Sequence, residues 1–313
     1  MTSAPHQTAL DDLETVRDWL RYGTSRFRAA GLVFGHGTDN ALDEAAFLIL
    51  KVLDLPIDSL DTWADCRLTR IERQRVSDII ETRIATRKPA PYLVNEAYIR
   101  GRSFFVDERV IVPRSYIGEL LTTNGLAAAF SEGPAAQTIL DLCTGSGCLA
   151  ILAAETFPDA VVDAVDISPD ALEVARRNVA DYGMEDRITL LASDLFSALG
   201  DKRYDLMISN PPYVSADAVR DFPPEYAAEP VMAHVGGDDG LDLVRRILGE
   251  ARRHLTPQGV LVVEIGTGID ILESEFPNLP FLWLDTEVSE GEVFALTAAE
   301  LGLQSNTKRG SRV

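Results

Sequence analysis

From residue 138 onward the chain repeats one period: a short apolar run rich in β-branched residues, a turn, then a stretch with helical spacing. TILDL (138–142) reads as a strand and GCLAILAAETF (147–157) as a helix. AVVDAVDI (160–167) is a second strand, and SPDALEVARRNVADYG (168–183) a helix with Ser168 placed to cap it and Pro169 in its first turn. ITLLASD (188–194), YDLMISN (204–210) and GVLVVEIG (259–266) continue the strands. Alternation of this kind requires a parallel sheet with helices on both faces, because parallel neighbours need a crossover long enough to hold a helix. The end of the chain breaks the period. FLWLDTEV (281–288) and VFALTA (293–298) are separated only by SEGE, too short for a crossover, so they must form an antiparallel hairpin.

The first ninety residues follow a different rule. ALDEAAFLILKVL (41–53) is spaced as a helix, with Asp39 or Asn40 as its N-cap. TRIERQRVSDIIETRIATR (69–87) sets Ile71, Val76, Ile79, Ile80 and Ile84 among charges, as one apolar helical face. KPAPY (88–92) breaks that helix, and AYIRGRSFFVDERVIV (97–112) alternates as a hairpin or extended linker up to Pro113. The divisions expected are a helical domain over 1–91, a β-hairpin linker over 92–112, an α/β domain over 113–303 and a flexible polar tail over 304–313.

Composition excludes several classes. No run approaches the roughly 18 uncharged apolar residues of a membrane span, and the N-terminus lacks the basic start and apolar core of a secretory signal. Cys66, Cys143 and Cys148 make no disulfide or zinc pattern, so no metal is expected and a cytoplasmic location is the default. The net charge is −20, unevenly spread: residues 1–91 carry a net of −2 and residues 92–313 a net of −18. A field of that sign repels polyphosphates and attracts basic partners, besides keeping a chain soluble.

LDLCTGSGCLA (140–150) places Gly145 and Gly147 between a strand and a helix, where glycine permits a tight turn and close approach to a ligand. Nineteen residues beyond Gly147, Asp166 ends the next strand, where a carboxylate can accept both hydroxyl protons of a ribose. A nucleoside-bearing cofactor follows, but not which one. Gly145-Ser146-Gly147-Cys148-Leu149-Ala150 also fits a dinucleotide fingerprint, so a dehydrogenase stays open on the loop alone. Asp194 is placed either to meet an adenine amino group or to anchor a loop, and Asp141 either to order the glycine loop or to hold a cofactor ammonium group.

The strand YDLMISN ends on Asn210 and runs at once into Pro211, Pro212 and Tyr213. Two prolines are a poor continuation of a strand. They suit a site that presents acceptors. A planar amide or exocyclic amine nitrogen is a weak nucleophile carrying two N–H donors. The Asn210 side-chain carbonyl can accept one and the Pro211 backbone carbonyl the other, Pro212 fixing its direction and the Tyr213 ring covering the flat group. Acceptors so fixed favour a pyramidal nitrogen over a planar one, which is differential binding. A turn begun by Asn is the plain alternative.

These stretches resemble the HemK-like protein-glutamine methyltransferases over nearly the whole chain. The residues that carry the likeness are VIVPRS…GEL (110–120), DLCTGSG (141–147), DAVDISPDAL (163–172), SDLF (193–196) and NPPYV (210–214). GHGTDN (35–40), VDERVIVPRS (106–115) and LDLCTGSGC (140–148) look like the branch acting on large-subunit ribosomal protein three. The release-factor branch usually has Pro-Arg-Pro-Asp where this chain has Pro113-Arg114-Ser115-Tyr116. The resemblance implies an α/β, Rossmann-like seven-stranded methyltransferase sheet with its last strand antiparallel, and a small helical substrate-recognition domain before it. It implies S-adenosylmethionine as cofactor, contacted by Asp141, Cys143, Thr144, Gly145, Ser146, Gly147, Asp166, Asp194, Leu195 and Asn210. The glutamine would lie at Asn210, Pro211, Pro212 and Tyr213. Arg114 and Glu119, which follow the linker, either border the methionine end of the cofactor or form surface ion pairs, and Glu229 is placed at the substrate mouth. Leu195 replaces a common aromatic and Cys143 a common glycine. His36 is either a substrate contact or part of a capping loop. Methyltransferases acting on nucleobase amino groups share Asn-Pro-Pro-Tyr, but the net of −18 over residues 92–313 disfavours a nucleic acid substrate and suits a basic ribosomal protein. A non-catalytic assembly factor is the remaining alternative.

Overall fold

The computed structural model describes residues 5–123, 125–126, 136–287 and 289–303, with side chains from residue 9 onward. The tail expected over 304–313 lies outside the described residues. Two compact units result: Met1–Ala97 with Phe222–Ala228, and Tyr98–Asp221 with Glu229–Val313. The first division falls at 97/98, inside the hairpin, and a seven-residue return from the second half of the chain joins the helical unit.

The first unit holds α1 (Pro5–Asp12), α2 (Val16–Ala29), α3 (Ala41–Val52), α4 (Leu60–Trp63), α5 (Arg70–Thr86) and α6 (Ala90–Val94). Capping boxes start α2 (Thr15 with Asp18) and α5 (Thr69 with Glu72). Of the two candidates for α3, Asn40 is the cap, its Oδ1 accepting from the Leu42 and Asp43 amides at 3.0 Å. The core is built from Trp19, Phe27, Leu48, Ile49, Val76 and Ile80. Ile71 departs from the expected apolar face of α5: it is 76% exposed. It stands five residues from Val76, about 140° around a helix, and so cannot share its face. Inside the unit Arg83 and Glu44 form a fully buried ion pair at 2.8 Å. Glu225 of the returning segment accepts from the Val33 amide at 3.0 Å and from Arg87 at 2.6 Å. His36 is buried, with its ring 4.4 Å from that of Tyr226.

The hairpin is β1 (Glu96–Ile99) and β2 (Arg102–Phe105), turned by Arg100 and Gly101 with φ of 49° and 77°, the left-handed pair that a two-residue hairpin requires. Residues 106–112 follow it without strand structure.

The second unit is a seven-stranded sheet. Its strands are β3 (Thr138–Leu142), β4 (Val161–Asp166), β5 (Ile188–Ala192), β6 (Tyr204–Ser209), β7 (Leu255–Glu264), β8 (Leu282–Leu284) and β9 (Val293–Thr297), in the order β5-β4-β3-β6-β7-β9-β8. β3 to β7 are parallel, and β9 runs antiparallel to both β7 and β8, as the short SEGE connection demanded. β7 begins four residues earlier than expected. Thr256-Pro-Gln-Gly259 looks like a turn, but Tyr204 already pairs with Leu255 and the register shifts before Leu206 meets Val260.

Alternate side chains divide the core between the two faces. Ile139, Leu206, Ile208 and Val262 pack under α7 (Tyr116–Thr122), α8 (Cys148–Thr156) and α9 (Pro169–Asp181). Beyond β6 the chain carries α10 (Ala216–Arg220). Leu140, Met207, Leu261 and Val263 face α11 (Asp242–Glu250), α12 (Ile269–Glu275) and α13 (Ala298–Leu301). Strand order reverses between β3 and β6, which opens a crevice at their C-terminal ends. Among the described residues no helix is long and apolar enough to cross a membrane.

Candidate active site

A cavity of about 290 Å³ opens at that reversal. Cys143, Gly145, Asp166, Asp194, Leu195, Asn210 and Pro212 border it, with Arg109, Val110 and Ile111 and with Pro230, Met232 and Ala233. A larger cavity, about 1030 Å³, lies at the N-terminal ends of β6 and β7 against Arg203, Leu255 and Leu301, and no sequence candidate borders it. Chemistry, not size, therefore locates the site. No cluster of metal-ligating side chains occurs among the described residues.

The glycine loop is ordered from beneath. Asp141, fully buried near the end of β3, accepts a 2.5 Å bond from the Thr144 hydroxyl, and its other oxygen has no partner among the described residues. Burial pushes its carboxyl up to about 7, against the lowering effect of Thr144. Gly145 and Gly147 have φ of 55° and 79°, and a Cβ on Gly147 would press on Ala175 of α9 at 3.2 Å. Thr144 and Ser146 are buried behind the loop rather than on the cavity. The Ser146 carbonyl accepts from Asn178 Nδ2 at 2.8 Å. Asn178 also exchanges bonds of 2.7 and 3.0 Å with the Phe105 backbone, tying the loop to β2. Sequence reading passed over Asn178; an asparagine on the apolar side of α9 was its only signal.

Asp166 ends β4 with both oxygens held by backbone, Oδ2 accepting from Gly145 N and Oδ1 from Ser168 N, each at 2.9 Å. Burial raises its pKa, opposed by those amides. Each oxygen keeps a lone pair for a further donor. Asp194 pairs with Arg246 of α11 at 2.8 Å, and both border the cavity. Cys143 and Leu195 are left-handed without being glycine, with φ of 60° and 49°. These are the two positions where the chain departs from its resemblance.

Asn210 follows β6 directly. Its Nδ2 donates to the Arg114 carbonyl at 2.9 Å. Only the nitrogen can donate to a carbonyl, so this bond sets the amide's direction and leaves Oδ1 as an acceptor. Pro212 borders the cavity, and Pro211 and Tyr213 flank it in the chain without being among the residues that line the cavity. The Tyr213 hydroxyl donates to Glu264 at 3.1 Å, and its ring packs on Gly266. A loop that sequence reading missed, Gly236 to Gly240, clasps the next residues. A Cβ on Gly236 would collide with the Pro212 carbonyl, and one on Gly240 with that of Tyr213. Val214 N donates to His234 O and Gly236 N to Val214 O, both at 2.9 Å.

Arg114 pairs with buried Glu229 at 3.2 Å, which also accepts from Val112 N at 2.9 Å and lies 3.0 Å from His234 Nε2. Glu119 is elsewhere: it accepts from Glu287 N at 2.7 Å and does not border the cavity.

Comparison with known proteins gives the family and the fold. Residues 121–222 match the family model of the Methyltransferase small domain. The chain is 56% identical over 295 residues to the "Ribosomal protein uL3 glutamine methyltransferase" of Bradyrhizobium diazoefficiens, covering 93% of this chain and 92% of that one. Proteins of the same name from Bordetella pertussis and Burkholderia pseudomallei are 52% and 50% identical, covering 93% and 96% of this chain and 97% and 98% of theirs. Among solved structures, the hMettl16 catalytic domain in complex with MAT2A 3'UTR hairpin 6 superposes with a TM-score of 0.51 at 16% identity, over 71% of this chain and 82% of that one. At that identity the likeness is one of fold.

Proposed function

The chain belongs to the ribosomal protein uL3 glutamine methyltransferases, and on that premise we propose that it methylates the side-chain amide nitrogen of a glutamine in ribosomal protein uL3, with S-adenosylmethionine as donor, in the crevice between Asp166 and Asn210. The observation that carries the mechanism is the bond from Asn210 Nδ2 to the Arg114 carbonyl. It fixes Oδ1 as an acceptor before any substrate arrives.

The residues fit the cofactor. Asp166 keeps lone pairs for two ribose hydroxyls, and a Cβ at Gly145 would meet nothing within 4 Å, which leaves room for close approach along the loop. Cys143, Gly145 and Gly147 shape the loop that Asp141 orders through Thr144, Ser146 ties it to α9, and Asp194 and Leu195 meet the adenine end. When bound, S-adenosylmethionine supplies an electrophilic methyl group. The chain's own residues hold the acceptor. Asn210 Oδ1 takes one N–H of the glutamine amide and the Pro211 carbonyl the other, while the Tyr213 ring covers its face. These acceptors bind the tetrahedral, positively charged nitrogen of the transition state better than the flat amide, so they act on the rate rather than on binding alone. No base is required before attack, since the nitrogen becomes acidic only once methylated. Unit one serves as the substrate-recognition domain, and the acidic second half of the chain favours a basic ribosomal protein in the cytoplasm over nucleic acid.

The test is incubation of the purified chain with isotope-labelled methyl donor and unmodified uL3, followed by peptide mass spectrometry. Label on a glutamine amide supports the reading; label on another residue type, or on an oligonucleotide supplied in parallel, overturns it.

A further inference from the structure

Two buried carboxylates that the mechanism does not use grip the segment on which Asn210 depends. Glu264, the last residue of β7, is 1% exposed, and among the described residues it has no ion-pair partner. A carboxylate left in that state is costly unless its hydrogen bonds are complete. Its Oε2 accepts from the Ser115 hydroxyl at 2.7 Å and the Tyr116 amide at 2.9 Å, and its Oε1 accepts from the Tyr213 hydroxyl at 3.1 Å. Ser115 in turn caps α7, accepting from Ile117 N at 3.1 Å. The residue before Ser115 is Arg114, whose carbonyl holds Asn210. The bonds therefore close a ring: Asn210 to Arg114, along the chain to Ser115, across Glu264 to Tyr213, and back along Pro212 and Pro211 to Asn210. From the other side Glu229 holds Val112 N and the Arg114 guanidinium.

We propose that Glu264 is a positioning residue for the methyl-acceptor site: by tying Ser115 and Tyr213 to one carboxylate, it holds the Arg114 carbonyl where it orients the Asn210 amide. The inference rests on the function proposed above. Glu264 touches neither substrate nor cofactor and acts through Arg114 and Tyr213. Loss of its tethers frees the Asn210 amide to rotate, and an acceptor misplaced by about 1 Å costs on the order of 100-fold in rate.

The experiment is a mutant cycle between Glu264 and Asn210, read by single-turnover methylation of uL3 and by calorimetry with S-adenosylhomocysteine. Glu264→Ala is expected to lower the chemical rate about 100-fold while the affinity for S-adenosylhomocysteine stays within about threefold. Glu264→Gln should recover most of the rate, since its oxygen can still accept from Ser115 and Tyr116 while its amide donates to Tyr213. In an Asn210→Ala background, Glu264→Ala should cost less than about threefold further, because the acceptor it positions is already gone. Equal losses in both backgrounds would reduce Glu264 to a stability role and overturn the inference. A normal rate for Glu264→Ala would do the same. If Glu264→Ala does not fold, Tyr213→Phe and Ser115→Ala each remove one tether and are run through the same cycle, with the same two outcomes. Failure of the wild-type chain to methylate glutamine would strike the function itself, and so is distinct from failure of the cycle.

Discussion

Asn210 and Asp166 illustrate how one carboxamide and one carboxylate take opposite parts in the same crevice. Asn210 is oriented by a single backbone carbonyl, which leaves its oxygen free for the methyl acceptor in the proposed function. Asn210→Ala is expected to cut the single-turnover rate at least ~100-fold while cofactor affinity, by calorimetry, stays within a few fold. Asp166 is fixed by two backbone amides and borders the same crevice, where the proposed function gives it the ribose. Asp166→Ala should lose cofactor affinity by about 1.5–3 kcal/mol, with a lesser effect on the chemical rate at saturation. Glu264 adds a pH signature. Burial pushes its carboxyl up to about 7 from the ordinary 4.5, against the lowering effect of its bonds to Ser115 and Tyr213. Between those two values the folded state keeps a proton that the unfolded chain has released, so the contribution to stability is favourable at low pH and falls as pH rises. Denaturant unfolding should show the wild type losing up to about 3 kcal/mol relative to Glu264→Gln across that window. A parallel pH profile in the two proteins would contradict it. Asn210 and Asp166 were legible in the sequence because each closes an apolar strand. Glu264 also ends a strand, but nothing in VVEIG says what its oxygens meet.

At the scale of elements, the acceptor loop is shaped from outside itself. The strand β6 delivers Asn210, but the carbonyls of Pro212 and Tyr213 are packed against Gly236 and Gly240, 24 and 27 residues on. Gly240 has a φ of 89° as well, so a side chain there is strained twice over. Gly240→Ala should displace the Tyr213 carbonyl, lowering the methylation rate by about tenfold or more while leaving cofactor affinity nearly unchanged. The glycine loop depends on neighbours in the same way. Gly147 is needed for its closeness to Ala175, and Asn178 of the same helix carries the bond to Ser146. Both strand periods and helix caps could be read locally, as Ser168 was, whereas the choice of Asn40 over Asp39 needed the structure. The clasp at Gly236 to Gly240 could not, since three glycines in a polar loop read as an ordinary turn until the Asn-Pro-Pro-Tyr carbonyls are seen beside them.

Across the whole molecule, the charge of −20 predicts how the partner is met. If the acidic second half draws in a basic ribosomal protein, methylation of uL3 at low substrate concentration should slow as salt rises, because the field is screened to ~8 Å at physiological ionic strength. Cofactor affinity, set by short contacts in a crevice of about 290 Å³, should change much less. A flat salt response of the uL3 reaction would leave the charge as a solubility device.

The sequence by itself determined the sheet, its antiparallel end, the ends of β4 and β6 and the residues placed there. These follow from periodicity, from crossover length and from the polar residue that closes an apolar run, all of which are local along the chain. Only the tertiary structure decided which way the Asn210 amide points, that residues 222–228 return to the helical unit, and that Glu264 joins Ser115 to Tyr213. Each of those rests on groups dozens to more than a hundred residues apart, and hydrogen-bond partners at that separation leave no period in a sequence.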